Sequence, residues 1–173
     1  EALTALRIEG PEISVKHQVS GLKGIYIDEN LEIIDHDQTQ KFWSEINEAS
    51  FFDHNKVIWR ISIPPASSPK FSKMLSTLSN VEFLYDWAGG RVWLEISQLD
   101  PCSNLVRNSV DAIGGHAMLM VNSKDAYSDI PMFHPQEPEL FEIESRIKVN
   151  FDPMNILNPN IRNKLLQKKA YMN

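Results

Sequence analysis

The chain has 173 residues, 42% hydrophobic and 23% charged, a balance that suits one globular domain, or a small domain plus an arm, with a core that needs no staples. A net charge of −6 removes the general electrostatic footprint for nucleic acid and makes an anionic membrane surface an unfavourable partner. The one cysteine, Cys102, excludes an internal disulfide and a cysteine-built zinc site, and a reducing, cytoplasmic compartment fits.

No run approaches the length of a membrane span, and no signal peptide is visible. A basic tip at Lys164, Lys168 and Lys169 reads as a solvated tail. The chain starts on Glu1 and goes almost directly into a strand-like segment, so a fragment or processed form is expected.

Ala5 to Glu9 reads as a short strand, and a helix is expected from Pro11 to about Ser20, stopped by Gly21. Leu31 to Ile34 is a weaker strand. Phe42, Trp43, Ile46 and Ala49 recur at helical spacing and predict an amphipathic helix over Thr39 to Ser50. Asp35-His36-Asp37, ahead of it, reads as solvated loop rather than metal ligands.

From Val57 the pattern is clearer. Val57, Trp59, Ile61 and Ile63 alternate against Ile58, Arg60 and Ser62, a strand stopped by Pro64-Pro65. Ser68 is expected to cap a helix with Pro69 in its first turn and Phe71, Met74, Leu75 and Leu78 on one face. Val81 to Tyr85 and Arg91 to Ser97 predict a hairpin around Ala88-Gly89-Gly90. A helix from Asp100-Pro101 ends at Gly114-Gly115, and His116 to Asn122 is the fourth strand. After a proline-spaced loop, Leu140, Ile143, Ile147 and Phe151 form one stripe of a long helix, which Pro153 ends.

The order β-α-β-β-α-β predicts an α+β fold: a ferredoxin-like antiparallel sheet, helices on one face, extended by the N-terminal strand-helix segments. Residues 1–151 are expected to form that domain.

The chemical inventory is sparse. There is no phosphate-binding glycine loop. The glycine pairs read as backbone permissiveness, Cys102 as a half-buried filler, and the five histidines as scattered. Three residues stand out. Arg60 is a charge inside an apolar strand and calls for a partner, with Asp86 or Glu95 in reach. Trp87 opens a tight hairpin. His116 follows a glycine pair at a strand start. Each has a structural explanation: a salt bridge, a lid on the core, a backbone cap. Together, Arg60 and His116 could grip a small anion.

LRIEG (Leu6 to Gly10), FW (Phe42-Trp43), WRISIP (Trp59 to Pro64), DWAGGRVWL (Asp86 to Leu94), GGHA (Gly114 to Ala117) and FDPMNILNP (Phe151 to Pro159) come in one order. Together they resemble the C-terminal half of the glycolate oxidase FAD-binding subunit (the E subunit), of the vanillyl-alcohol-oxidase-type FAD-linked oxidases. The resemblance implies a cap domain, residues 1–151, and a C-terminal strap, residues 152–173, that would return to an N-terminal FAD-binding domain missing here. It implies FAD in the full-length parent and none in this piece. It implies oxidation of glycolate to glyoxylate beside a second flavin subunit and an iron-sulfur subunit, cytoplasmic or peripheral to the inner membrane. No nucleic acid and no direct membrane insertion are expected, and the piece alone is expected to be inactive. Arg60, Trp87 and His116 are the substrate-side candidates, with no catalytic residue and no metal ligand assigned. Asn158 and Asn160, in the strap, would face the flavin domain. Two other readings stand beside this one: a stand-alone ferredoxin-like anion-binding or regulatory module, and a purely structural subunit-docking module.

Overall fold

The computed structural model describes residues 3–27, 30–98, 100–121 and 130–159. The chain divides into two compact units, Glu1–Ser44 and Glu45–Asn173.

The first unit carries α1 (Glu12–Ile25) and the start of α2 (His36–Glu48). α1 runs through Gly21, where a stop was expected. Glycine ends a helix by adopting a left-handed conformation, and neither Gly21 nor Gly24 does so. An interior glycine then costs only about 1 kcal/mol relative to alanine. α2 begins three residues before the expected start. Gln38 N–H donates to Asp35 Oδ1 at 2.8 Å, and Asp35 N–H donates back to Gln38 Oε1 at 3.1 Å. This reciprocal capping box absorbs Asp35, the first residue of the metal-like triplet.

Residues 5–9 and 31–34 form no strand, contrary to expectation. Leu6 and Ile33 are exposed there, and alternation alone makes no strand without a ladder partner. The sheet has four strands and no N-terminal extension among the described residues.

The second unit holds β1 (Val57–Ser62), α3 (Ser68–Met74), β2 (Val81–Asp86), β3 (Arg91–Ile96), α4 (Ser103–Asp111), β4 (His116–Val121) and α5 (Pro138–Phe151). The strands lie in the order β2-β3-β1-β4, every neighbouring pair antiparallel. The chain is therefore α+β, in an arrangement compatible with the expected unit.

Alternation decides which side each residue of β1 takes. Val57, Trp59 and Ile61, with Ile63 beyond the strand, face a core built with Phe71 of α3 and Leu75 just after it, Val106 and Val110 of α4, and Ala117 and Leu119 of β4. Trp59 Nε1–H donates to the Pro101 carbonyl at 3.0 Å, so the largest core side chain leaves no orphan donor. The two crossover helices thus share one face.

On the opposite face a smaller cluster of Ala49, Phe52, Ile58 and Trp93 covers one end. Beside it the buried Glu95 accepts from Lys56 Nζ at 2.6 Å and from Asp53 N–H at 2.8 Å. That bond to Glu95 is the main reason the Lys56 ammonium is held above its ordinary pKa. Glu95 is therefore spoken for, and it does not serve Arg60 as expected.

The hairpin between β2 and β3 turns through Trp87 and Ala88, both in left-handed conformation at φ 53°, and Gly89 at φ 91°. A Cβ on Gly89 would run into the Ser68 hydroxyl. That hydroxyl does not cap α3 as expected. It points back and shares its one proton between the Gly89 carbonyl at 2.6 Å and the Pro65 carbonyl at 2.9 Å, tying the turn to the end of β1.

α5 ends at Phe151, as Pro153 dictates. Asp152 orders the residues after it. Its carboxylate accepts from Ile156 N–H at 2.8 Å and Leu157 N–H at 2.9 Å, and it pairs with Lys148 Nζ. Ile156 and Leu157 nevertheless stay 71% and 64% exposed.

Candidate functional site

The open face of the sheet carries a cavity of about 280 Å³. β1 and β4 form its floor. Arg60 lies opposite Met118 in the β1–β4 register, and Ser62 lies opposite His116. These pairs project away from the core, because Ile61 and Ala117 between them take the core side. Phe133, His134 and Gln136 form one wall, and Phe141 and Glu144 of α5 another.

Arg60 is exposed rather than buried. Its Nη2 donates to Met118 Sδ at 3.4 Å, a weak acceptor that uses little of a five-donor guanidinium. The expected ion pair with Asp86 does not form. Asp86 instead accepts from Trp87 N–H at 2.7 Å and stands 3.5 Å from Arg91. No hydrogen bond engages the His116 ring among the described residues, and its centroid lies 6.0 Å from that of His134.

Sequence position alone does not single out His134. It precedes Pro135, and a residue before proline is pushed toward extended backbone. The stretch therefore runs along the free edge of β4: Leu119 N–H donates to the Met132 carbonyl at 2.8 Å, and Ala117 N–H donates to His134 Nδ1 at 3.3 Å. Nδ1 is then the acceptor, so Nε2 carries the proton and donates to Asp111 Oδ1 at 2.8 Å. The pair looks like a catalytic dyad, but both ring nitrogens are already engaged. His134 is a positioning residue of the wall.

Arg107 holds the same stretch from behind. Its Nη2 donates to the Pro131 and Phe133 carbonyls, and its guanidinium lies 5.4 Å from the Trp59 ring. Burial holds the Arg107 pKa below its ordinary value, with Asp111 opposing that shift.

Gly115 explains the glycine pair. A Cβ there would press on the Ser62 carbonyl oxygen and come within 2.8 Å of Ile63 Cγ2. Only a glycine lets β4 start against β1, and this is what sets His116 beside Ser62.

No protein-family model, no curated protein and no solved structure matches this chain.

Of the expected substrate-side residues, the fold brings Arg60 and His116 to one cavity. Trp87 does not line it; the ring sits 64% exposed at the hairpin tip with the Arg91 guanidinium 3.7 Å from its centroid. Asn158 lies in the exposed tail in left-handed conformation. Asn160 lies outside the described residues, as do the three terminal lysines. Cys102, at the N-terminus of α4, has its thiol pKa raised by burial first and by Asp100 second, which disfavours the nucleophilic thiolate. Among the described residues, no group of three or more His, Cys, Asp or Glu side chains is placed to hold a metal ion. No described helix is long and apolar enough to cross a membrane.

Proposed function

We propose that this chain is the ferredoxin-like cap of a FAD-dependent 2-hydroxy-acid oxidoreductase subunit of the glycolate oxidase type, and that its cavity receives the acid's carboxylate. The observation that carries this reading is the meeting of Arg60 and His116 at one cavity, on the sheet face that the crossover helices leave open. A guanidinium offers a planar fork of donors that matches a carboxylate, and a protonated imidazole adds a charge-assisted bond. The strand order β2-β3-β1-β4, with both crossover helices on one face, supports the ferredoxin-like assignment.

FAD, when bound in the parent enzyme, accepts the hydride. The cavity does not fit the dinucleotide itself, since about 280 Å³ is below the roughly 300–1,000 Å³ of drug-sized ligand pockets. The flavin would be held by the N-terminal FAD-binding domain of the parent. This chain's part is to bind and orient the acid. The exposed α5 stripe of Leu140, Ile143, Ile147 and Phe151, with the exposed tail beyond it, supports docking on that domain and on the partner flavin and iron-sulfur subunits.

The test is glycolate-dependent dye reduction by the full-length subunit co-expressed with its partners. Arg60→Ala and His116→Ala are expected to lower turnover at least tenfold with flavin content unchanged. Undiminished turnover would sink direct substrate contact. A reading frame with no FAD-binding region upstream would sink the cap assignment.

A second reading, a stand-alone small-anion module, draws on the same pair, Arg60 and His116, at one cavity. It requires carboxylate binding to matter without any flavin partner.

A further inference from the structure

We infer that the cavity is built for a carboxylate with a hydrogen-bond donor on its α-carbon and an apolar side chain, rather than for glycolate. The inference rests on the reading of Arg60 and His116 as the carboxylate site, and it names the substrate class more closely.

Size is the first argument. Glycolate has five heavy atoms, and at a water's share of about 30 Å³ or less for each it fills at most about half of the 280 Å³ present. The lining is the second. Phe133, Phe141 and Met118 bound the cavity, and none of them has anything to offer a two-carbon hydroxy acid. An apolar side chain seated against the two rings removes that surface from water.

A hydrogen-bond acceptor is the third argument. Glu144 lines the same cavity, its Oε1 accepting from Gln136 Nε2 at 3.1 Å. A carboxylate oxygen also accepts from a hydroxyl or an ammonium group. A monocarboxylate whose α-carbon bears a hydroxyl satisfies both ends: carboxylate to Arg60, hydroxyl donor toward Glu144. An α-ammonium group shares this chemistry, so an apolar amino acid is the other source of the same ligand pattern.

The experiment is calorimetric titration of this chain with 3-phenyllactate, glycolate, 3-phenylpropionate, L-phenylalanine and inorganic phosphate. The expected result is 3-phenyllactate at least tenfold tighter than glycolate, 3-phenylpropionate or phosphate, with Phe141→Ala removing the preference over glycolate. Phe141 lies outside the buried core, and Met118→Ala is the second variant if the first perturbs folding. Glycolate binding as tightly as 3-phenyllactate overturns the inference and leaves the proposed function standing. Equal binding of 3-phenylpropionate overturns the α-donor. Phenylalanine tighter than 3-phenyllactate supports the ligand pattern and removes the hydroxy-acid oxidase reading. No binding by any acid overturns the inference, and glycolate-dependent flavin reduction by the full complex then decides the proposed function separately.

Discussion

His134 hangs between two partners. The Ala117 amide donates to its Nδ1 at 3.3 Å, and Asp111 Oδ1 lies 2.8 Å from its Nε2. This pair of bonds locks one tautomer and closes the edge of β4. His134→Ala leaves the amide of the buried Ala117 without an acceptor, so a loss of about 1–3 kcal/mol is expected in urea unfolding. Asp111→Asn keeps an acceptor oxygen and is expected to cost less than half of that. Equal costs would mean that the charge of Asp111, not the orientation of the ring, holds the loop.

Arg60 separates binding from stability. It is exposed, and its hydrogen-bond partner among the described residues is a weak acceptor, so Arg60→Ala is expected to shift stability by no more than about 0.5 kcal/mol. The same variant is expected to weaken carboxylate binding at least tenfold, with Arg60→Lys between the two, since lysine keeps the charge but loses the fork. Paired calorimetry and thermal unfolding check this. A large stability loss would make Arg60 a structural residue.

The tail carries a pH dependence of known sign. The bond from Lys148, then those from the Ile156 and Leu157 amides, hold the Asp152 carboxyl below its ordinary pKa. A depressed folded-state value stabilises the charged form, so the Asp152 contacts hold fully above the ordinary carboxylate pKa. They are lost as pH falls through the lowered value. In an acid titration followed by NMR, the Ile156 and Leu157 amide shifts are expected to move later than those beside exposed carboxylates. Movement in step with those carboxylates would remove Asp152 as the anchor.

Gly115 is expected to tolerate no side chain. Gly115→Ala presses a methyl on the Ser62 carbonyl and Ile63, and overpacking of this kind costs about 1–3 kcal/mol. Because β4 must shift, acid binding at His116 is expected to fall as well. A neutral Gly115→Ala, by unfolding midpoint, would show that the two strands have slack.

Cys102 is expected to be slow toward iodoacetamide at pH 8, since burial and Asp100 both raise its pKa. Alkylation as fast as that of a free thiol would contradict that environment.

Much of the fold is legible in the sequence because its signals are local. Strand alternation from Val57 to Ile63, the hairpin glycines and the proline after Asp152 each act within a few residues, and the elements obey them. Gly21 suggests a stop inside the helix over Glu12–Ile25, but a glycine stop depends on a backbone angle that sequence does not state. Ala5 to Glu9 looks like a strand because alternation is visible and a missing ladder partner is not.

The cavity is legible only in halves. Arg60 and His116 stand out as residues at odds with their strands. His134, Gln136, Phe141 and Glu144 do not, since each looks ordinary in its own segment.

By itself the sequence determined the order and type of the four strands and of the helices between them, because periodicity, caps and prolines are short-range. Tertiary structure decided which sheet face stays open, that Arg60 has no use for Asp86 or Glu95, and that a proline-bound loop closes β4. Those outcomes depend on register and packing between residues dozens of positions apart, where many pairings compete and only the folded chain selects one.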